Sequence, residues 1–350
     1  MARATATGLD LGATHARAAV VEYERTNPTG SPPKVLKFAQ VPLDPAAMKD
    51  GVVENAPLVS DAIHHLFKSN HLPVKNVVLG LGGSHVSVRE IELPKAPIDQ
   101  LRASLKYMVQ DQLSMRVEDA ILDFYPTDTT DTQVRGLLVA ALAESVQRTV
   151  DTVISGGVTP SRVDLTAFAL ARGLARGPYG QGVIGIVNMG ASATDVVVLA
   201  DGIPQMTRTL PYGGELVTES VMRACSLPHG EAERMKLALG LNPPPAGHEA
   251  AQAASAQILR RAQALVEAVG QTFAYHVQRT GQQVAGVLVT GRAALLGGLD
   301  RYLATTLRLP MARAAIDQLA SLEGALAAGM DDGVRSDLAV CTGLAFGGAK

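Results

Sequence analysis

Two copies of one six-residue pattern, half a chain apart, constrain this sequence more than any other feature. Gly12 lies 178 residues before Gly190, and Asp10 lies the same distance before Asn188. In each copy small and apolar residues surround the glycine, which predicts a strand, a tight turn and a second strand. Two such hairpins predict a duplicated domain with a cleft between its halves.

The two turns have the composition of phosphate-binding loops. A glycine lets backbone N–H groups approach an anion closely, and the hydroxyl groups of Thr14 and Ser192 add donors. Asp10 can hold a hydrated Mg²⁺ beside the phosphates, whereas Asn188 offers only a neutral amide. Either turn alone is a common one, but the matched pair favours phosphate binding. The residues predicted to surround the phosphates are Asp10, Gly12, Ala13, Thr14, Asn188, Gly190, Ala191 and Ser192.

The rest of the chain mixes strands with helices, which indicates an α/β architecture. Its length favours two domains, and the repeat places them at 1–180 and 181–350. Within the first domain, residues 84–164 have the pattern of a strand–helix–strand–helix unit. We expect this unit to form a small inserted subdomain.

Charge and cysteine content narrow the functional classes. The 31 Lys and Arg residues nearly balance the 33 Asp and Glu residues, and a net charge of −2 argues against nucleic acid as the main partner. Cys225 and Cys341 are too few for a disulfide framework or a clustered zinc site. No apolar run approaches the roughly 20 residues that span a bilayer. We therefore expect a cytoplasmic protein that reaches a membrane only through a partner.

Two further segments extend the pattern to a nucleotide site. Residues 287–299 resemble the adenosine motif of the actin-like ATPase superfamily, an apolar strand followed by glycines, and the two turns resemble its phosphate loops. Residues 231–236 resemble its adenosine-contacting helix, in which a three-residue spacing puts Glu233 and Lys236 on one face. The resemblance implies ATP, with Mg²⁺, in the cleft. On the adenosine side it implies Gly214, Glu233, Lys236, Gly291 and Arg292.

Within that superfamily the sequence resembles the PilM family of type IV pilus assembly, which is related to the division protein FtsA. The segments that carry this resemblance are 91–94, 99–113, 117–120, 123–125, 201–204 and 211–214. The likeness runs from Gly8 to Ala345. It implies an actin-like, duplicated ribonuclease H-like fold of two domains, with an FtsA/PilM-type inserted subdomain at about 84–164.

The same resemblance implies a cytoplasmic scaffold that binds ATP between its domains. Its partner would be the N-terminal tail of a PilN-like inner-membrane protein, lying as an extended peptide beside the inserted subdomain. Other pilus assembly proteins are further candidate partners. We expect apolar positions within 84–164 to line the groove, and nucleotide to act on docking by closing the cleft.

Three residues depart from the family pattern. Asn188 stands where the family has Asp, and Arg292 and Ala293 replace two glycines of the adenosine motif. We therefore expect weak or absent ATP hydrolysis. The long side chain of Arg292 has three alternatives: it crowds the adenine, swings outward, or stacks on the base.

Two other functions fit the same superfamily. A sugar-type kinase needs a catalytic carboxylate base and a sugar-binding segment, and the sequence gives no convincing match for either. An FtsA-like division protein ends in a basic amphipathic helix, which residues 345–350 cannot form. Both alternatives are therefore disfavoured.

Overall fold

The fold is organised around the two predicted hairpins, each of which lies in a sheet of its own. The computed structural model describes residues 3–24, 32–83, 85–175, 177–314, 316, 320–324 and 330–347. The strands are β1 (Arg3–Leu11), β2 (His15–Glu24), β3 (Lys34–Pro42), β4 (Met48–Lys49), β5 (Val52–Val53), β6 (Val77–Leu81), β7 (Val86–Pro94), β8 (Ala120–Thr129), β9 (Gln133–Leu142), β10 (Pro160–Leu165), β11 (Val183–Met189), β12 (Thr194–Ala200), β13 (Ile203–Leu210), β14 (Gly286–Thr290), β15 (Met311–Arg313) and β16 (Ser321–Leu322). The helices are α1 (Ala56–Ser69), α2 (Ile98–Met108), α3 (Ala143–Ser155), α4 (Thr166–Leu174), α5 (Gly214–Cys225), α6 (His229–Leu239), α7 (Glu249–Thr280), α8 (Leu299–Leu307) and α9 (Asp332–Gly347).

The two large sheets have the same strand order. In the first, the order is β3-β2-β1-β6-β10, with β16 added beside β3. In the second, it is β13-β12-β11-β14-β15. In each sheet the first three strands of this order form antiparallel pairs. The fourth strand, β6 or β14, pairs in parallel with the first strand of the hairpin, β1 or β11. The duplication predicted from the repeat is therefore present in the fold.

Helices cover both faces of each sheet. Alternate residues of β1 and β2 pack against α1 on one face and against α4 and α9 on the other. In the same way, alternate residues of β11 and β12 pack against α7 on one face and toward α4 and α9 on the other. Strands buried on both faces have continuous apolar runs, which explains the run Val196–Leu199. The layers are thus helix, sheet, helix, sheet, helix.

The middle layer holds the two halves together, and its helices lie unusually close. A Cβ on Gly343 of α9 would overlap the carbonyl oxygen of Ala169 in α4, and one on Gly8 of β1 would overlap that of Cys341. Only glycine permits this approach. Both α9 and β16 come from the range 181–350, yet they pack on or pair with the first sheet. Chain position alone therefore does not assign the last elements to a domain.

A third sheet, with the order β7-β9-β8, stands apart from the other two. The helix α2 covers one of its faces, where Leu101, Leu105, Phe124 and Leu138 form a small core. This sheet spans 86–142, which is shorter than the 84–164 expected for the inserted subdomain. The difference arises because α3 packs against α1 and β10 pairs with β6. The domain boundaries stay a prediction.

Two of the sequence expectations fall on residues outside the described part of the chain. They concern Ser84, the first residue of the expected insert, and 348–350 in the segment tested for an amphipathic helix. Among the described helices, none combines the length and the apolar character needed to cross a lipid bilayer.

Candidate functional site

The two hairpin turns have the same backbone geometry. The Gly12 N–H donates to the carbonyl oxygen of His15 at 3.0 Å, and the Gly190 N–H donates to that of Ala193 at 2.9 Å. These bonds are equivalent in the repeat, because both residues of each pair are shifted by the same offset. Both turns line one cavity of about 1120 Å³ between the sheets. The predicted cleft is therefore present, with the turns in it.

The strand register extends the repeat to a position that the turn pattern did not include. Asp10 pairs with Arg17 across β1 and β2, and Asn188 pairs with Asp195 across β11 and β12. Arg17 and Asp195 are also 178 residues apart, so the equivalent positions carry opposite charges. The second hairpin thus has its carboxylate on the strand opposite Asn188. Extending the repeat by a few residues would have revealed both side chains.

Two arginines and two carboxylates form a chain of charges at the base of the cleft. Arg17 Nη1 lies 3.6 Å from Asp10 Oδ2, and Arg17 Nε lies 3.2 Å from Asp337 Oδ2. Arg292 Nε donates to the same Asp337 oxygen at 2.6 Å. Asp337 lies in α9, and no sequence pattern indicated its approach, because α9 reaches the cleft only by crossing back to the first sheet.

The guanidinium of Arg292 points toward the first half of the molecule, and which of the three alternatives it takes against an adenine stays a prediction. Besides Asp337, its guanidinium contacts Gln40 of β3, with Nη2 3.4 Å from Oε1. The side chain is 40% exposed and leans toward the first sheet and α9. Its neighbour Gly291 has φ of +88°, and a Cβ there would overlap the carbonyl oxygen of Met189. The first glycine of the adenosine motif is therefore required by the backbone, whereas the position of Arg292 tolerates a long side chain.

Burial shifts the pKa values of the ionisable groups around the turns. Burial raises the pKa of Asp10 to about 6; Arg17 lowers it, while Asp337 and Asp195 raise it. Burial also raises the pKa of Asp195, although hydrogen bonds from Thr209 and Asn188 lower it. The pKa of His15 is lowered by burial and by the charges of Arg17 and Arg292. At neutral pH the imidazole is therefore neutral.

The second turn is braced by the start of α5. The Gly214 N–H donates to the carbonyl oxygen of Gly190 at 3.0 Å, and the Glu215 N–H donates to that of Ala191 at 2.8 Å. A Cβ on Gly213 would overlap the Ala191 carbonyl oxygen, so this approach also requires glycine. The turn and the helix start are thus fixed relative to each other.

The buried Lys236 lies in the part of the cavity wall that α5 and α6 form. Lys236 Nζ lies 2.6 Å from Glu233 Oε2, so these residues share one helix face, as the spacing predicts. Its ammonium also donates to Thr218 Oγ1 at 2.9 Å and to the Gly214 carbonyl oxygen at 3.2 Å. Beside it, Leu237 projects an exposed apolar side chain into the same cavity. This wall offers an apolar surface edged by charge.

The structure brings together every residue predicted to touch the nucleotide. The residues that line the cavity include Asp10, Gly12, Ala13, Thr14, Asn188, Gly190, Ala191, Ser192, Gly214, Glu233, Lys236, Gly291 and Arg292. Arg17, Asp195 and Asp337 line it too and were not predicted. The contacts of these residues with a nucleotide stay a prediction.

The side chains around Asp10 fit a hydrated Mg²⁺ poorly. Its carboxylate faces the Arg17 guanidinium, and a second cation there would meet a positive charge. The equivalent position in the other turn is Asn188, a weaker ligand for a hard cation. Within the described ranges, no three His, Cys, Asp or Glu residues cluster as a metal site.

The cavity continues toward the inserted sheet, where it meets β7 at Val86 and Val88. In the sheet register, Val88 lies opposite Val139 of β9, and Val139 lies opposite Asp123 of β8. Ile121 is two residues before Asp123 on β8, so its side chain is on the same face of the sheet. That face is the one not covered by α2, and Ile121 is 48% exposed on it. This face of the sheet is therefore partly apolar, and that it lines the expected groove stays a prediction.

An ion pair and strand packing join the inserted sheet to the second half of the chain. Glu90 of β7 lies 2.7 Å from Arg279 at the end of α7, and its side chain is only 18% exposed. Arg279 also lies over the ring of Tyr275, and Arg208 Cζ of β13 lies 4.7 Å from the centroid of the same ring. Burial raises the pKa of Glu90, whereas Arg279 and Arg208 lower it. The inserted sheet thus contacts both halves of the molecule.

The chain matches a known protein family and is similar to several solved structures that share its fold. The family described as type IV pilus assembly protein PilM matches residues 8–348. Cell division protein FtsA of Neisseria meningitidis serogroup B (strain ATCC BAA-335 / MC58) is 19% identical over 319 residues, covering 79% of this chain and 76% of that one.

Solved structures agree on the fold. A PilM-PilN type IV pilus biogenesis complex superposes with a TM-score of 0.83 at 21% identity, and the match covers 100% of both chains. MreB5 of Spiroplasma citri bound to AMPPNP gives a TM-score of 0.52 at 13% identity over 90% of this chain and 93% of that one. These likenesses establish an actin-like fold, and the family match over almost the whole length shows that the chain belongs to the PilM family of type IV pilus assembly proteins.

Proposed function

We propose that this protein is a cytoplasmic scaffold of type IV pilus assembly that binds ATP between its two halves and docks the N-terminal tail of a PilN-like inner-membrane protein. The observation that carries the proposal is the family match over residues 8–348. A solved complex of the same family with PilN, alike over the full length, supports the choice of partner.

The nucleotide occupies the cavity between the two turns. The backbone N–H groups of the turns and the hydroxyls of Thr14 and Ser192 bind the phosphates. Leu237 gives the adenine an apolar surface, and Lys236 with Glu233 reaches polar atoms of the adenosine. The binding of AMPPNP by MreB5 of Spiroplasma citri, which has the same fold, supports this placement.

Binding rather than hydrolysis is the role of this nucleotide. Asn188 cannot act as a base or hold a cation with a charge, and the carboxylate nearest to it, Asp195, accepts a hydrogen bond from Thr209 Oγ1 at 2.8 Å. The Mg²⁺ predicted at Asp10 has less support than ATP, because of Arg17. We therefore expect hydrolysis to be weak or absent, as for a nucleotide that sets a conformation.

The tail of the partner lies as an extended peptide on the inserted sheet, along the exposed part of the face that α2 does not cover. Ile121, Val139 and Val88 supply apolar contacts there, and an extended chain presents alternate side chains to such a surface. The membrane association of this protein then comes from the partner. The cavity joins this face to the turns, so closing the cleft around ATP changes the docking surface.

The docking face is tested by replacing each of two similarly exposed isoleucines by aspartate, one on this face and one elsewhere. Ile121 is 48% exposed on the inserted sheet, and Ile154 is 46% exposed on α3. A fluorescein-labelled peptide of the PilN-like tail from the same organism is titrated with wild type, Ile121→Asp and Ile154→Asp, and anisotropy is measured. We expect Ile121→Asp to weaken binding by about tenfold or more, because a buried carboxylate without a partner opposes docking. Equal affinities for both variants would contradict this placement.

A further inference from the structure

Arg17 lies beside the first turn and beside Asp10, the carboxylate expected to hold a hydrated Mg²⁺. A Cβ on Gly12 would lie only 2.8 Å from Arg17 Nη1, so the guanidinium rests against the glycine that admits the phosphate. The same nitrogen lies 3.6 Å from Asp10 Oδ2. A positive charge is thus already fixed next to the carboxylate and the turn.

The pairing of Arg17 leaves much of its donor capacity unused. A separation of 3.6 Å from Asp10 is longer than a good hydrogen bond. Its Nε is near Asp337 but has no hydrogen bond of acceptable geometry among the described residues. A guanidinium has five N–H donors. This side chain can therefore accept an anionic ligand without first losing a strong bond.

Asp337 brings a second arginine to the same place. Its Oδ2 accepts from Arg292 Nε at 2.6 Å and lies 3.2 Å from Arg17 Nε, so one carboxylate oxygen gathers two guanidinium groups. Guanidinium groups match the fork geometry of phosphate oxygens. At the second turn, by contrast, Asn188 lacks the charge that a divalent cation would need.

We propose that Arg17 and Arg292 neutralise the phosphates of the bound nucleotide in place of a divalent cation, so that this protein binds ATP without Mg²⁺. The inference rests on the nucleotide binding proposed above. Arg292 is the residue that departs from the glycine of the adenosine motif, and here it gains a function in the same site. Asp337 is a positioning residue, because it orients both arginines toward the turn.

The test is a calorimetric titration of wild-type protein with AMP-PNP, in buffer with EDTA and in buffer with Mg²⁺. We expect the two dissociation constants to agree within about threefold. Binding only with Mg²⁺ would overturn the inference and leave the nucleotide proposal standing. Absence of binding in both buffers would overturn both. This comparison uses no variant, so it does not depend on how a variant folds.

Variants then identify the cationic groups. In EDTA, Arg17→Gln and Arg292→Gln should each weaken AMP-PNP binding by about 10- to 100-fold, the usual cost of losing a charge-assisted hydrogen bond. Mg²⁺ should restore part of the loss. The control is Arg223→Gln, since Arg223 is 65% exposed on α5 and pairs with Glu219 in the same helix. Unchanged affinity in both cleft variants, with circular dichroism showing them folded, would overturn the inference.

Discussion

Asp10 carries its charge in surroundings that disfavour it. Burial raises its pKa from the ordinary 3.8 to about 6; Arg17 opposes this, and Asp337 and Asp195 add to it. The folded chain therefore holds the proton more tightly than the unfolded chain does. The stability that this provides is complete below about pH 4 and is lost as the pH rises through about 6.

The variant Asp10→Asn removes this titration. Without nucleotide, we expect the free energy of unfolding of the variant to rise relative to that of wild type between pH 4.5 and 7.5, by at most about 3 kcal/mol. The reason is that only wild type ionises a buried carboxyl at this position. Thermal midpoints measured in EDTA across this range provide the check. Because Asp195 and Glu90 titrate in both proteins, only the difference between the two curves is compared. A constant difference across the range would contradict the raised pKa.

The sequence predicted the site residues that lie in local patterns and missed those that depend on distant parts of the chain. Asp10 and Gly12 stand in a turn whose chemistry is local, so the repeat was sufficient to find them. Asp337 joins the site only because α9 returns to the first sheet, and no residue near it in the sequence indicates this contact. The direction of the Arg292 side chain follows from its ion pair with Asp337, so the sequence pattern alone could not give it.

Among the elements, α4 and α9 set the distance between the two sheets. Their contact depends on Gly343, where a Cβ would overlap the Ala169 carbonyl oxygen. Neither helix can shift far, because each packs on a sheet as well as on the other helix. The close approach of two helices from distant segments is a property of tertiary packing, which sequence periodicity does not report.

Replacing Gly343 by alanine should therefore destabilise the protein. We expect a loss of more than about 2 kcal/mol, because the added methyl group has to push two backbones apart. The matched control is Gly230→Ala in α6, where the nearest atom would be the flexible end of Arg234 at 3.8 Å. That variant should be neutral or more stable by up to about 1 kcal/mol. Thermal unfolding of the two variants decides, and equal midpoints would show that α4 and α9 can separate at little cost.

Individual helices and strands were predicted better than the elements with which they pair or pack. Five residues recur at helical spacing in the sequence and are all buried along α7: Ile258, Ala262, Leu265, Val269 and Phe273. The residues of α3 were also predicted to form a helix, but their place in the inserted unit was inferred from chain proximity. The strand β10 was not predicted, although its residues fall at the end of the expected unit 84–164. β10 pairs in parallel with β6, where Leu165 lies opposite Leu81, 84 residues earlier in the chain. Strand partners of this kind are chosen by the whole fold.

At the scale of the whole molecule, the inserted sheet is placed to report on the state of the cleft. It is covalently part of the first half, and Glu90 ties it to Arg279 of the second half. A change in the angle between the halves must therefore either move this sheet or break that ion pair. The pair is partly buried, so breaking it leaves a carboxylate in surroundings that disfavour charge.

This link predicts a variant that binds both ligands and loses their coupling. In wild type, AMP-PNP should change the affinity for the PilN-like tail by about fivefold or more, the range of ordinary allosteric coupling. In Glu90→Gln we expect a change of less than about twofold, since the packing of β13 against β7 then remains without the ion pair that ties the sheet to α7. The readout is the anisotropy titration with labelled tail, with and without AMP-PNP.

The control for this prediction lies two residues away on the same strand. Glu92 pairs with Arg135 at 2.9 Å, within the inserted sheet itself, so Glu92→Gln removes an ion pair and keeps the Glu90–Arg279 contact, although the Glu92 charge also acts on Arg279. Its coupling should equal that of wild type. If Glu90→Gln keeps full coupling as well, nucleotide acts on the docking face through the cavity walls at Val86 and Val88 and not through Glu90. If both variants lose coupling, the rigidity of the inserted sheet matters more than its attachment.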